Sequence, residues 1–138
     1  MTAFFDITKA IIDRMQANWA TTPIIYDDEN YEPDGTTAFV AFFVHHTNSD
    51  QASLSNDPII RFGGTIEASI YTASAQGIGL GLQHADSIAA IFRRQRFSNV
   101  LCYAPRIAPQ GQRQKKFTNG VYIHTPLFCR FEYDKHFG

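Results

Sequence analysis

Ile59-Ile60-Arg61-Phe62-Gly63-Gly64-Thr65-Ile66-Glu67-Ala68-Ser69-Ile70-Tyr71, with the amphipathic run that follows it to Gln95, decides the fold. Ile66, Ala68 and Ile70 alternate with Thr65, Glu67 and Ser69, the period of a strand with one buried face. Ile78, Leu82, Ala85, Ala89 and Phe92 then recur at helical spacing, and Ile88 and Ile91 widen the stripe. The pair predicts a long strand crossing the domain and a helix returning over the sheet. Strand-like residues continue on both sides of Gly63-Gly64, so these glycines mark a bulge or a close backbone approach rather than a turn. Gly77, Gly79 and Gly81 fit neither G-x-G-x-x-G nor a Gly-Lys-Ser/Thr phosphate loop, and are read as letting the helix start lie close to the sheet. Arg93, Arg94 and Arg96 complement the negative pole at the helix end.

On the N-terminal side, Phe4, Ile7, Ile11, Met15 and Trp19 recur every three or four positions, flanked by Phe5 and Ile12, and predict a first helix from about Ala3 to Trp19. Asp6 lies in its first turn, and Lys9 and Asp13 form a surface pair. Thr21-Thr22-Pro23 stops it, because a residue before proline is steered away from the α region. Ile24-Ile25-Tyr26 is a short strand. Thr37 to His46 is apolar on both parities, so both faces of this strand should be covered. Thr47 to Asp57 is polar apart from Leu54 and reads as a mobile loop.

On the C-terminal side, Val100 to Tyr103 predicts a strand ended by Ala104-Pro105. Arg106 to Lys116 is a basic, glutamine-rich excursion in which Pro109 and Gly111 break regular structure. Val121, Ile123, Thr125, Leu127, Cys129, Phe131 and Tyr133 alternate with the residues between them, the longest clean strand pattern in the chain; Pro126 suggests an edge or a bulge. The expected fold is α+β: a twisted mixed or mainly antiparallel sheet of about 4–5 strands with two main helices packed on it. The expected order is α-β-β-β-α-β-β, in one domain over residues 1–138.

The length suits one domain, given roughly 100–200 residues per domain. A chain of this size buries about 68–70 per cent of its unfolded surface, so it needs neither disulfides nor a metal to hold together. Twelve basic and 13 acidic residues give a formal charge of −1, which argues against a dedicated nucleic-acid binder. Twelve Phe and 6 Tyr supply large core or interface area. Cys102 and Cys129 lack C-x-x-C spacing and read as buried free thiols of a protein made in a reducing cytoplasm. The opening residues show no secretory signal, and no apolar run approaches the roughly 20 residues needed to span a bilayer.

Catalytic signatures are missing. His45, His46, His84, His124 and His136 sit in no H-E-x-x-H or H-x-E pattern, and the neighbouring His45 and His46 point to opposite strand faces. There is no G-x-S-x-G elbow. No cofactor is expected. Charge is the stronger signal. Asp27, Asp28, Glu29, Glu32 and Asp34 place five carboxylates in eight positions. The glycine and acid positions of a calcium loop, counted from Asp28, fall on Pro33 and Phe39, so that reading fails. Arg106, Arg113, Lys115 and Lys116 form the basic counterpart. The two stretches either meet within one subunit or pair head to tail between subunits, and a heterologous contact that closes by rotation makes a ring.

Taken in order, several pieces resemble a family of phage-related proteins grouped with the tail terminators of long-tailed, noncontractile phages. They are Asn18-Trp19-Ala20-Thr21-Thr22-Pro23-Ile24, Glu32-Pro33-Asp34-Gly35-Thr36-Thr37-Ala38-Phe39-Val40, Gln51-Ala52-Ser53-Leu54, Arg61-Phe62-Gly63-Gly64, Ala85-Asp86-Ser87-Ile88-Ala89-Ala90-Ile91-Phe92-Arg93 and Phe131-Glu132-Tyr133-Asp134. The resemblance covers nearly the whole chain and implies a subunit of a hexameric ring. Such a ring caps the head-proximal end of the tail tube, stops tube polymerisation and offers a docking face to the head-tail connector protein. Implied partners are further copies of the chain, the tail tube protein and the connector, with no membrane and no sequence-specific nucleic acid. The implied place is the virion tail, after assembly in the host cytoplasm. Asn48, Gln51 and Leu54 are the candidate contacts to tube or connector. The charged stretches depart from the family pattern. Two alternatives stay open: another neck or head-completion protein, and a small-molecule-binding or enzymatic α+β domain.

Overall fold

Long alternating runs become long strands here, and two apolar stripes become helices that cover one face of the sheet. The computed structural model describes residues 3–26, 31–51, 59–109, 111–117 and 120–136. Their order is α1 (Ala3–Asn18), β1 (Ile24–Tyr26), β2 (Phe39–Gln51), β3 (Ile59–Ala73), a 3-10 turn (Ser74–Gln76), α2 (Gly79–Phe92), β4 (Arg96–Phe97), β5 (Val100–Cys102), β6 (Arg106–Ile107), β7 (Arg113–Phe117) and β8 (Gly120–His136). The sheet runs β1-β2-β3-β8-β5-β4; β7 and β6 share the flank of β8 that β5 occupies further along. Only the β1–β2 pair is parallel among the described strands.

The α+β class is as expected, but the described residues hold an 8-stranded sheet rather than 4–5 strands. The added strands are short and polar. Ser98 (φ 47) and Asn99 (φ 68) make the two-residue turn of the β4–β5 hairpin. The basic excursion, expected to be irregular, supplies β6 and β7, both laid antiparallel on β8. Thr47–Gln51, expected in a loop, extends β2, because the first residues of β3 need a ladder partner. Leu54 lies outside the described residues.

The main core lies between the helices and one sheet face. Ile7, Ile11 and Met15 of α1, Trp19 just past its end, and Ala85, Ile88, Ala89 and Phe92 of α2 share one core with Val40, Phe42, Ile66, Ala68, Ile70, Leu127, Cys129 and Phe131. Arg14 ties the helices together, donating Nε to the Ile91 carbonyl at 2.9 Å while its guanidinium lies over the Phe97 ring. The expected α2 stripe is corrected at its start, where Ile78 and Leu82 are 62% and 40% exposed. Gly81 faces the sheet instead, and a Cβ there would lie 2.6 Å from Thr125 Oγ1, so the helix approaches too closely for a larger residue.

Two other glycine and proline readings resolve in the same way. The extra residue of the bulge lies on β2, between His46 and Asn48, opposite Gly63-Gly64. A Cβ on Gly64 would run into the His45 carbonyl and lie 2.6 Å from the Phe131 ring. Pro126 sits in a central strand, not at an edge. Its carbonyl accepts from the Ala108 amide at 3.1 Å, and its nitrogen lies on that same flank, at the break between β7 and β6 where no ladder donor is required.

Candidate functional site

The sheet face away from the helices is only partly covered. Strand register fixes its rows. Phe39, Tyr71 and His124 form one; Phe43, Glu67, Phe128 and Arg106 the next but one; His45, Thr65 and Arg130 follow. Beyond them lie Glu132 with Leu101, then Arg61 with Asp134. These are the outward positions of the same alternation that buries Ile66, Ala68 and Ile70.

One end of the face is closed by the chain itself. Phe39 and Tyr71 stack at 4.8 Å, Tyr71 and His124 at 4.7 Å, and Tyr31 packs on Phe39. Gly35 donates its amide to the Tyr122 hydroxyl at 2.9 Å, which donates on to the Thr37 carbonyl. Lys115 sits over the Tyr71 and Phe117 rings. Burial, and then Glu67, push the Tyr71 hydroxyl upward, while burial and then Lys115 hold His124 below the usual imidazole value.

The middle is open. Phe43 and Phe128 are half-buried beside a short polar relay, in which Ser69 donates to Glu67 Oε2 at 2.8 Å and His45 Nε2 meets Glu67 Oε1 at 3.0 Å. This relay lacks the nucleophile-to-base contact of a catalytic triad, since both Ser69 and His45 address the carboxylate. His46, on the opposite strand face, bonds Thr8 at 2.9 Å, so the two adjacent histidines do not converge. A cavity of about 440 Å³ is lined by His45, Thr65, Glu67, Arg106, Ala108, Pro109 and Phe128.

The far end is charged. Arg61 grips Asp134 with Nε at 2.9 Å and a second nitrogen at 3.2 Å, and reaches Glu132 at 3.5 Å. Arg130 bonds Glu132 at 3.0 Å and lies 5.3 Å over the Tyr103 ring. Two further cavities open here. One, of about 550 Å³, is lined by Arg94, Leu101, Cys102, Tyr103, Ala104, Arg106 and Arg130; the other, of about 340 Å³, by Arg61, Arg96, Asn99, Leu101, Tyr103, Glu132 and Asp134.

The charged residues singled out in the sequence fall in separate places. Asp27, Asp28 and Glu29 lie outside the described residues. Glu32 is exposed. Asp34 is committed to its own turn. Its Oδ1 accepts the Thr36 and Thr37 amides at 2.8 and 2.7 Å and its Oδ2 the Thr37 hydroxyl at 2.6 Å, which together hold its carboxyl far below the ordinary range. Arg113, Lys115 and Lys116 lie along β7, whereas Arg106 lies on the open face. Residues 31–37 rest on the β7–β8 hairpin, where a Cβ on Gly120 would come 3.0 Å from the Gly35 Cα, yet no acid of that stretch pairs with a β7 cation among the described residues. Asn48 lies in β2 beside the bulge, its Oδ1 over Gly63, and Gln51 ends that strand.

Sequence reasoning missed Arg94, Tyr103, Arg130, Phe43 and Phe128 as surface features. The outward positions of β8, Phe128, Arg130 and Glu132, carried the signal. The two cysteines are buried, free neighbours: Cys129 donates to the Tyr103 carbonyl at 3.3 Å, and the Cys102 thiol, hydrogen-bonded to Cys129 and buried, is pushed strongly up. No group of three or more metal-ligating side chains occurs among the described residues, and none of their helices is long and apolar enough to cross a membrane.

No protein-family model matches the chain, and no curated protein matches it. Among solved structures, a similar chain whose name states no activity superimposes with a TM-score of 0.64 over 93% of this chain and 93% of that one, at 13% sequence identity. At that identity the likeness shows a shared α+β fold and nothing about chemistry.

Proposed function

We propose that this chain is a structural virion protein, a tail terminator whose copies close into a hexameric ring at the head-proximal end of a phage tail tube. In this reading the ring stops tube polymerisation, offers its other side to the head-tail connector and turns over no substrate. The observation that supports it most is the open sheet face. A helix-free surface with Phe43 and Phe128 set among His45, Glu67, Arg106 and Arg130 offers an apolar centre and a polar rim, the make-up of a subunit interface. Mixed charge on such a surface fixes the register of the partner more than it adds affinity. Long paired strands beneath it keep the surface rigid.

Native mass spectrometry of the purified protein, followed by electron microscopy with polymerised tail tubes, tests the reading. The expected outcome is a discrete oligomer of 15.6 kDa subunits that decorates one end of each tube. Deleting the gene from its phage should then leave overlong tails unattached to heads. A chain that stays monomeric at every concentration and ignores tube ends would sink the proposal, and binding to the portal side alone would reassign it to the neck.

A further inference from the structure

The cavity of about 550 Å³ on the β5 flank of β8 is lined by Arg94, Arg106, Arg130 and Tyr103, over a floor of Leu101, Cys102 and Ala104. That volume lies within the range of small-molecule sites, roughly 300–1,000 Å³. Each arginine comes from a different part of the fold, and each is positioned by its backbone or by a neighbour. Arg130 of β8 bonds Glu132 at 3.0 Å and lies over the Tyr103 ring. Arg106 opens β6, in register with Phe128. Arg94 stands just past α2 at φ 54, the left-handed position where helices commonly end on glycine. The turn that carries it is tied to β5: the Arg94 amide donates to the Tyr103 carbonyl at 3.5 Å, and the Cys102 amide to the Gln95 carbonyl at 2.8 Å. An arginine is thus held in a conformation its own backbone disfavours, a kind of strain that clusters at sites where the side chain has a task.

We propose that this pocket binds a small phosphate monoester, its phosphate held between the guanidiniums and its stem lying on the apolar floor. The charge balance selects that anion. One carboxylate accompanies the three guanidiniums, Glu132 on Arg130, and Arg61 also reaches it at 3.5 Å. Arg94 and Arg106 have no acidic partner among the described residues. Three guanidiniums less one carboxylate leave about two positive charges, and a phosphate monoester carries about −1.5 to −2 at pH 7. A carboxylate or a sulfate ester, with a single charge, leaves one guanidinium uncompensated. The three phosphate oxygens also accept from several planar forks at once. Leu101, Cys102 and Ala104 add nothing for a bare inorganic ion, but they pack against the stem of an ester. The site belongs to one subunit and does not rest on the ring reading above.

Isothermal titration calorimetry of the purified chain with phenyl phosphate, phenyl sulfate and inorganic phosphate tests this. Phenyl phosphate is expected to bind at least about tenfold tighter than either of the others. Its affinity should fall about threefold or more from about pH 7.5 to about pH 5.5, because the ester takes up its second proton near pH 6 while the guanidiniums stay charged. Arg94→Gly removes one guanidinium and relieves the backbone at the same time. It is expected to lose at least about tenfold in affinity with no loss of melting temperature. Arg106→Gln, away from that turn, should lose a similar factor while the melting temperature stays unchanged. Full affinity in both variants would show that the arginines serve only the fold, and overturns the proposal. So does an absence of binding by the wild type, or phenyl sulfate binding as tightly as phenyl phosphate. Inorganic phosphate equal to phenyl phosphate marks a site for an adventitious ion only and overturns the assignment to an ester.

Discussion

Gly64 shows how much one position constrains. Facing Phe131 across the β3–β8 ladder and the bulged part of β2 on the other side, it has room for a hydrogen and nothing more. Gly64→Ala should destabilise the fold by about 1–3 kcal/mol through overpacking, measured by urea denaturation with an unchanged slope. Gly63→Ala meets a side-chain amide, Asn48, that can swing away, and serves as the milder comparison. The sequence showed that the glycine pair was special, since strand residues continue past it. It could not show which strand carries the extra residue, because a bulge is a property of the pair. Asp34 teaches the reverse lesson. In the sequence it is one of five equivalent acids, yet Thr36 and Thr37, two and three residues on, identify it as a turn acceptor through local hydrogen bonding.

At the scale of elements, periodicity located the helices and long strands that have a buried face, although it placed Ile78 and Leu82 in an α2 stripe they do not join. The α1 stripe of Ile7, Ile11 and Met15 is buried completely, and Ile11→Ala should cost about 2–5 kcal/mol in chemical denaturation, as for other fully buried aliphatic side chains. The same substitution at Ile12, on the flank of the stripe, should cost less. Strands without a buried face left no such trace. β7 reads Arg-Gln-Lys-Lys-Phe and exposes all but its last residue, so composition alone made it look like a loop. The pocket arginines were legible only in part: Arg94 read as a helix-end cation, and nothing local reveals that it shares a cavity with Arg106 and Arg130.

For the molecule as a whole, acid should be the weak side. Burial holds His84 below its ordinary value of 6.5, and burial followed by Lys115 does the same to His124, against a smaller opposing effect of Glu67. The folded state therefore resists a proton that the unfolded state accepts. The stabilisation is complete above the unfolded value near 6.5 and is lost as pH falls through the lower folded values. The melting temperature should drop between about pH 7 and pH 5, and His84→Gln with His124→Gln should flatten that drop. A slope unchanged by the double substitution would remove these two histidines as its cause.

The β3–β8 pairing also constrains the order in which the sheet can be completed. β2 and β3 emerge from the ribosome early and can pair at once, but the other edge of β3 stays bare until β8, the last described element, is synthesised. Throughout that interval an apolar strand edge is exposed to any passing β-segment, the hazard that slow, non-local sheets present. The closest pair in sequence along that ladder is Ala73 with Tyr122, so zippering outward from there toward Ile59 and His136 is the entropically cheapest route to close it.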